Sequence, residues 1–243
     1  MIAVPTSSLS RADYAVALRA LPAEERPRYL TEHSNLPGPR ANLTLLDAAG
    51  DVLPRDQALH LIDEVDEFLA GCGVVALGRL ILEAPTDRAL VGLVTRSAAD
   101  ARWRVREASA IAAQRIGDAD PERLRALVEE WTSAADPLVV RCGIAAICEP
   151  RLLTDPMTAA AALAACRRAT AHLLAVPAPD RRNPSVRTLR QALGYCWSVA
   201  VAGSPKAGLA EFLALATDDP DLAWVVRENR KKHRLIRLLT PLD

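Results

Sequence analysis

A tetrapeptide that recurs along the sequence is the strongest constraint on what this chain can fold into. Trp103-Arg104-Val105-Arg106 recurs as Trp224-Val225-Val226-Arg227, and a degenerate copy, Leu138-Val139-Val140-Arg141, lies between them. Each copy follows an aspartate (Asp100, Asp136, Asp221) and opens a stretch with helical apolar spacing. Arg106 and Arg141 are 35 residues apart, and Arg190 and Arg227 are 37 apart. Self-similarity at about 34–47 residues with helical content marks an array of helix pairs. A single pair cannot bury its apolar stripe, so neighbouring pairs stack. The expected fold class is therefore all-α: an α-solenoid of about five to six helical repeats in a right-handed superhelix, forming one domain over residues 1–243.

Composition agrees with helices and narrows the partner. Half the residues are hydrophobic but only 4% are aromatic, so the residue types that favour strands are sparse. Net charge is zero, whereas a dedicated nucleic-acid binder carries a basic surplus. The charges are nevertheless segregated. Asp56, Asp63, Glu64, Asp66 and Glu67 form an acidic stretch, and Arg227, Arg230, Lys231, Lys232, Arg234 and Arg237 form a basic one; both read as solvated helix faces. Five cysteines show no CxxC spacing, and four of them lie in apolar helical runs, with Cys72 placed near a helix start. The scattered histidines (His33, His60, His172, His233) have no metal-ligand spacing. No metal and no cofactor is expected. No charged segment followed by an apolar core opens the sequence, and no run of 18 apolar residues occurs. A cytoplasmic protein without a membrane partner is expected.

Breakers and caps divide the chain. Residues 1–53 read as N-terminal capping helices, with Ser10 and Asn42 as helix starts and Leu36-Pro37-Gly38-Pro39-Arg40 as a breaker. Residues 54–150 read as regular repeats. They begin with a long helix from Pro54 carrying Leu59, Ile62, Val65, Phe68 and Leu69, followed by another from Gly73 to about Glu83. Residues 151–184 read as an irregular insertion with an alanine-rich helix, which accounts for the 49 residues between Arg141 and Arg190. Residues 185–243 hold the C-terminal repeats, ending in one helix from near Asp221 into the basic tail.

Trp103-Arg104-Val105-Arg106-Glu107-Ala108-Ser109-Ala110-Ile111 and Pro121-Glu122-Arg123-Leu124 resemble HEAT-like repeats. More narrowly, the first is similar to the Trp-x-Arg/Val-Arg-x-Ala-Ala-Ile helix of the AlkD-like group, the alkylpurine DNA glycosylases of DNA alkylation repair. Val140-Arg141-Cys142-Gly143-Ile144-Ala145-Ala146-Ile147 resembles a later helix of that group without its lysine and tryptophan. The resemblance covers about residues 74–150 and, more weakly, 185–237, and Leu36 to Leu43 looks like a segment of uncharacterised bacterial HEAT-repeat proteins. It implies a concave face where an aspartate stabilises a sugar cation, arginines contact the DNA backbone and tryptophans pack against the lesion. The position implied for the aspartate falls near residues 69–77, which hold no carboxylate. Arg106 and Arg141 match the basic positions; the acid has no counterpart.

The candidate binding residues are Trp103, Arg106, Glu107, Arg141, Arg190, Trp224 and Arg227. The arginines could line a groove and contact phosphate, or pair with the loop aspartate of a neighbouring repeat; the recurrence of Asp100, Asp136 and Asp221 favours pairing. Trp103 and Trp224 are expected to pack between repeats, and Trp131 and Trp197 in the core. No GxSxG and no GxxxxGK[ST] occurs, and no catalytic residue is assigned. The expectation is a non-catalytic interaction module that binds a macromolecule on its concave face, a protein first and DNA second. The alternative is a DNA alkylation-repair relative that draws its carboxylate from Asp63, Asp66, Glu67 or Glu107.

Overall fold

Fourteen α-helices, two single-turn 3-10 helices and no strand account for the regular structure of residues 9–240, the part of the chain described by the computed structural model. The chain divides into two compact units, Met1–Ala112 and Ala113–Asp243, and the division falls inside one helix. Among the described residues no helix is long and apolar enough to cross a membrane.

The first unit holds α1 (Arg11–Ala20), α2 (Arg26–Glu32), α3 (Leu43–Val52), α4 (Arg55–Ile62), α5 (Glu67–Glu83), α6 (Arg88–Ala98) and the start of α7 (Trp103–Ala119). Helices α1, α3 and α5 pack in a row, and α4 and α6 pack on α5. This alternation is how helical pairs bury stripes that none can bury alone. The centre is α5: between Phe68 and Ile81 every residue except Arg79 is buried. A helix apolar on all sides needs neighbours on all sides. Arg79 turns its position to use, donating to the carbonyls of Gly50 (3.2 Å) and Leu53 (2.5 Å) where α3 ends, and pairing with Glu83. Such a side chain satisfies carbonyls that the helix leaves open.

Side-chain caps set the boundaries. Ser10 and Asp13 form a reciprocal capping box on α1, and Asn42, Asp66 and Asp87 accept backbone N–H groups at the starts of α3, α5 and α6. Asp66 corrects two expectations. The apolar run from Pro54 is not one long helix, because Asp66 accepts from the Phe68 and Leu69 amides and restarts the chain as α5. Val65, counted into the apolar stripe, lies in the turn and is 91% exposed. Cys72 accordingly sits well inside α5 and is buried, not at a helix start.

The second unit holds the rest of α7, then α8 (Pro121–Thr132), α9 (Pro137–Ile147), α10 (Pro156–Ala175), α11 (Pro184–Gly203), α12 (Pro205–Leu213), α13 (Pro220–Arg230) and α14 (His233–Leu239). Helices α9, α11 and α13 pack in a row, and α10 packs on α8, α9 and α11. The alanine-rich segment is thus part of this unit's core rather than an excursion from it. Six of these helices begin with proline, four of them after a capping aspartate (Asp120, Asp136, Asp155, Asp219). Proline's fixed φ and missing N–H suit the first helical position, so prolines that end one segment start the next. Trp131 and Trp197 are core residues as expected, the latter donating from Nε1 to Thr170 Oγ1 at 3.0 Å. The basic end is two helices, not one, because the chain turns at Lys231 and Lys232.

Candidate functional site

The breaker at 36–40 is a shaped loop, held by Asn42. The Asn42 side chain accepts from the Leu45 amide (3.0 Å) and donates to Tyr14 Oη (2.9 Å) and to the His33 carbonyl (3.0 Å). Its own amide donates to the Ser34 carbonyl at 2.8 Å, closing the loop. Gly38 is required inside it, because a Cβ there would collide with the Asn35 carbonyl. Asn42→Ala removes a helix cap and both donated bonds. Caps are worth about 0.5–2 kcal/mol and hydrogen bonds about 1 kcal/mol each, so a loss of about 2–3 kcal/mol in denaturant unfolding is expected.

This loop, α3, α5 and the start of α7 enclose a cavity of about 340 Å3. Leu43, Leu46, Phe68, Trp103, Ala108 and Ile111 supply its apolar lining, and Gly71 of α5 also borders it. Arg40, Glu67, Arg104 and Glu107 supply its polar groups. Trp103 is 51% exposed and Leu43 58%. The expectation that Trp103 packs between repeats is therefore corrected: its ring borders an open cavity. The Arg104 guanidinium stacks on that ring at 4.6 Å and is held by an ion pair with Glu67. Stacking and pairing together fix the indole from one side. The acidic stretch is a solvated face only in part: Asp56 and Asp63 are exposed, Asp63 beside Arg96 at 3.0 Å, whereas Asp66 caps α5 and Glu67 reaches the cavity.

The other predicted residues separate. Arg106, two positions before the cavity-lining Ala108, donates to the carbonyls of Asp100 (2.7 Å) and Ala101 (2.9 Å). The carboxylate of Asp100 is taken by Arg102 at 2.8 Å, whose hydrogen bond holds it below the usual carboxylate range. Arg106 thus closes the turn into α7. In the second unit Arg190 pairs with Asp221 and stacks on Trp224 at 4.7 Å, the expected pairing of a repeat arginine with the aspartate of the following copy. Trp224 packs against Gly194 of α11, where a Cβ would lie 2.8 Å from its ring. Arg141 is half-buried and Arg227 exposed. Of the predicted set, Trp103 and Glu107 share a cavity, and Arg190 and Trp224 share a cluster.

Reactive groups are scarce. All five cysteines are buried, and burial pushes the Cys72 thiol well above its ordinary range, away from the thiolate a nucleophile needs. Among the described residues no three His, Cys, Asp or Glu side chains are grouped to hold a metal ion. Residue typing does not single out Arg40, Phe68 or Arg104, and offers Glu67 only as one of four carboxylates. Glu67 and Arg104 lie 37 positions apart, about one repeat, so their opposite charges were the available signal. No protein-family model, curated protein or solved structure matches the chain.

Proposed function

We propose that this chain is a non-catalytic, HEAT-like interaction module that seats a bulky apolar side chain of a protein partner in the Trp103 cavity. The observation that carries this reading is the cavity itself: apolar within, bordered by half-exposed Trp103 and Leu43, with charges of both signs around it. Exposed tryptophan beside a preformed apolar pocket is the composition of an interaction hot spot, and contiguous apolar surface with a polar border marks such sites. The rows α1–α3–α5 and α9–α11–α13 support the HEAT-like assignment within each unit. The test is selection of a displayed peptide library on the purified protein. The expected result is enrichment of peptides sharing one large apolar residue, with Trp103→Ala weakening them about 10–30-fold, as for a hot spot of about 2 kcal/mol. Peptides indifferent to Trp103→Ala, or no enrichment, would refute it.

A second reading, a DNA alkylation-repair relative, is favoured by one observation. Glu107, one of the carboxylates that reading requires, lines the cavity beside Trp103, as does Glu67, which pairs with Arg104. Loss of a cationic base needs negative charge near the sugar, and this reading assigns that role to Glu107. Release of methylated bases from duplex DNA, abolished by Glu107→Gln, would establish this reading; no release removes it.

A further inference from the structure

We infer that the second unit carries a separate binding site for a small organic anion, a carboxylate or phosphate on an apolar body, at Arg234. A cavity of about 400 Å3 lies where α11, α14 and the segment 150–154 meet. Leu153, Val199 and Ala202 give it an apolar wall, and Thr154 and Arg234 are its polar lining groups. Arg234 has no carboxylate partner among the described residues. Its Nη2 donates to Tyr195 Oη at 3.0 Å, its guanidinium stacks on the Tyr195 ring at 4.7 Å, and its Nη1 is buried without an acceptor. Glu149, next in sequence to the cavity-lining Pro150, pairs with Arg151 at 3.2 Å, and Glu228 on α13 pairs with Lys231 at 2.6 Å.

A guanidinium partly withdrawn from water, with an unfilled donor and no counter-charge, is costly unless something neutralises it. The surrounding charge does the opposite. Arg227, Arg230, Lys231, Lys232 and Arg237 crowd the same end of the chain, and the Lys232 ammonium lies 5.8 Å from the Tyr195 ring. Such a cluster raises the local concentration of anions. The planar fork of arginine matches carboxylate and phosphate oxygens, and the tyrosine beneath it holds that fork in place. The apolar wall beside the cation sets the ligand class, because a bare ion would leave Leu153, Val199 and Ala202 unused. The cavity is within the volume range of small-molecule sites. This site is independent of the Trp103 cavity, and either can fail without the other.

Titration calorimetry of the full chain with phenyl phosphate, benzoate, benzamide and inorganic phosphate tests the assignment. Phenyl phosphate or benzoate is expected to bind at least tenfold more tightly than benzamide and than inorganic phosphate. Arg234→Gln is expected to weaken the better anion at least tenfold, and Arg234→Lys less. Ala202→Phe, at an exposed position on the cavity wall, is expected to block binding with the thermal midpoint unchanged, which keeps the test valid should the arginine variants fold poorly. Equal binding of benzamide, equal binding of inorganic phosphate, unchanged affinity in Ala202→Phe, or no binding by any probe would each overturn the assignment.

Discussion

Asn229→Ala is expected to cost about 3–5 kcal/mol of folding stability, read as a lower denaturant midpoint at unchanged slope. Asn229 is fully buried in α13. Its Oδ1 accepts from the Ser198 amide at 2.7 Å, and its Nδ2 donates to the carbonyls of Leu193 and Val225, each at 2.8 Å. Two of these bonds cross to α11, so one side chain ties the packed row together through backbone groups. Alanine removes all three bonds, at about 1 kcal/mol each, leaves the Ser198 N–H and the Leu193 carbonyl with only their helical partners inside α11, and opens a void besides. Asn229→Leu separates the two costs. It restores volume but no hydrogen bond, so it should recover less than about 1 kcal/mol of the loss if the bonds dominate. A loss below about 1 kcal/mol in the alanine variant would mean that water takes the amide's place.

Asn229 also shows where sequence reading stops. Leu222, Val225, Val226 and Asn229 share one helical face, so an amide at a core position was legible from spacing. Its partners were not, because Leu193 and Ser198 lie more than 30 residues away and nothing local encodes a side chain reaching another helix's backbone. The same division runs through the fold. Caps such as Ser10 and Asn42 and the proline helix starts are local chemistry and were readable. The break at Asp63–Asp66 was obscured because Val65 sits in phase with Ile62 and Leu69, and hydrophobic periodicity outweighed a capping aspartate.

The candidate site was half legible for the same reason. The tryptophan repeat pointed to Trp103, but tryptophan at a repeat position reads as packing. Only the fold shows that the neighbouring space is open. Glu67 read as one of five acids on a solvated stretch, and its role depends on Arg104, one repeat away. The recurring arginines differ in their surroundings. Recurrence of the residue type does not set its partners: Arg106 meets two carbonyls, Arg190 an aspartate and an indole, and Arg227 is exposed.

Gly73→Ala is expected to destabilise the first unit by about 2–4 kcal/mol, although alanine is the better helix former. A Cβ at Gly73 would lie 2.6 Å from the Ala58 carbonyl oxygen and 2.8 Å from the Ile62 amide nitrogen. Both are backbone atoms of α4, so no rotamer change relieves the overlap and the two helices must part. Helix propensity returns at most about 1 kcal/mol, and overpacking a dense core typically costs about 1–3 kcal/mol, more when backbone must move. Gly92→Ala is the opposite case. It is exposed on the outer face of α6 with nothing within 4 Å of the added carbon, so the same substitution should stabilise by about 0.5–1 kcal/mol. The sign difference, measured by chemical denaturation of both variants, isolates the close approach from propensity. Equal signs would show that the α4–α5 contact yields. The contact also bears on the proposed function. Helix α5 carries Glu67, Phe68 and Gly71 into the Trp103 cavity, less than two turns before Gly73. Parting α4 from α5 displaces that wall, so Gly73→Ala should weaken a selected peptide while leaving anion binding at Arg234 unchanged.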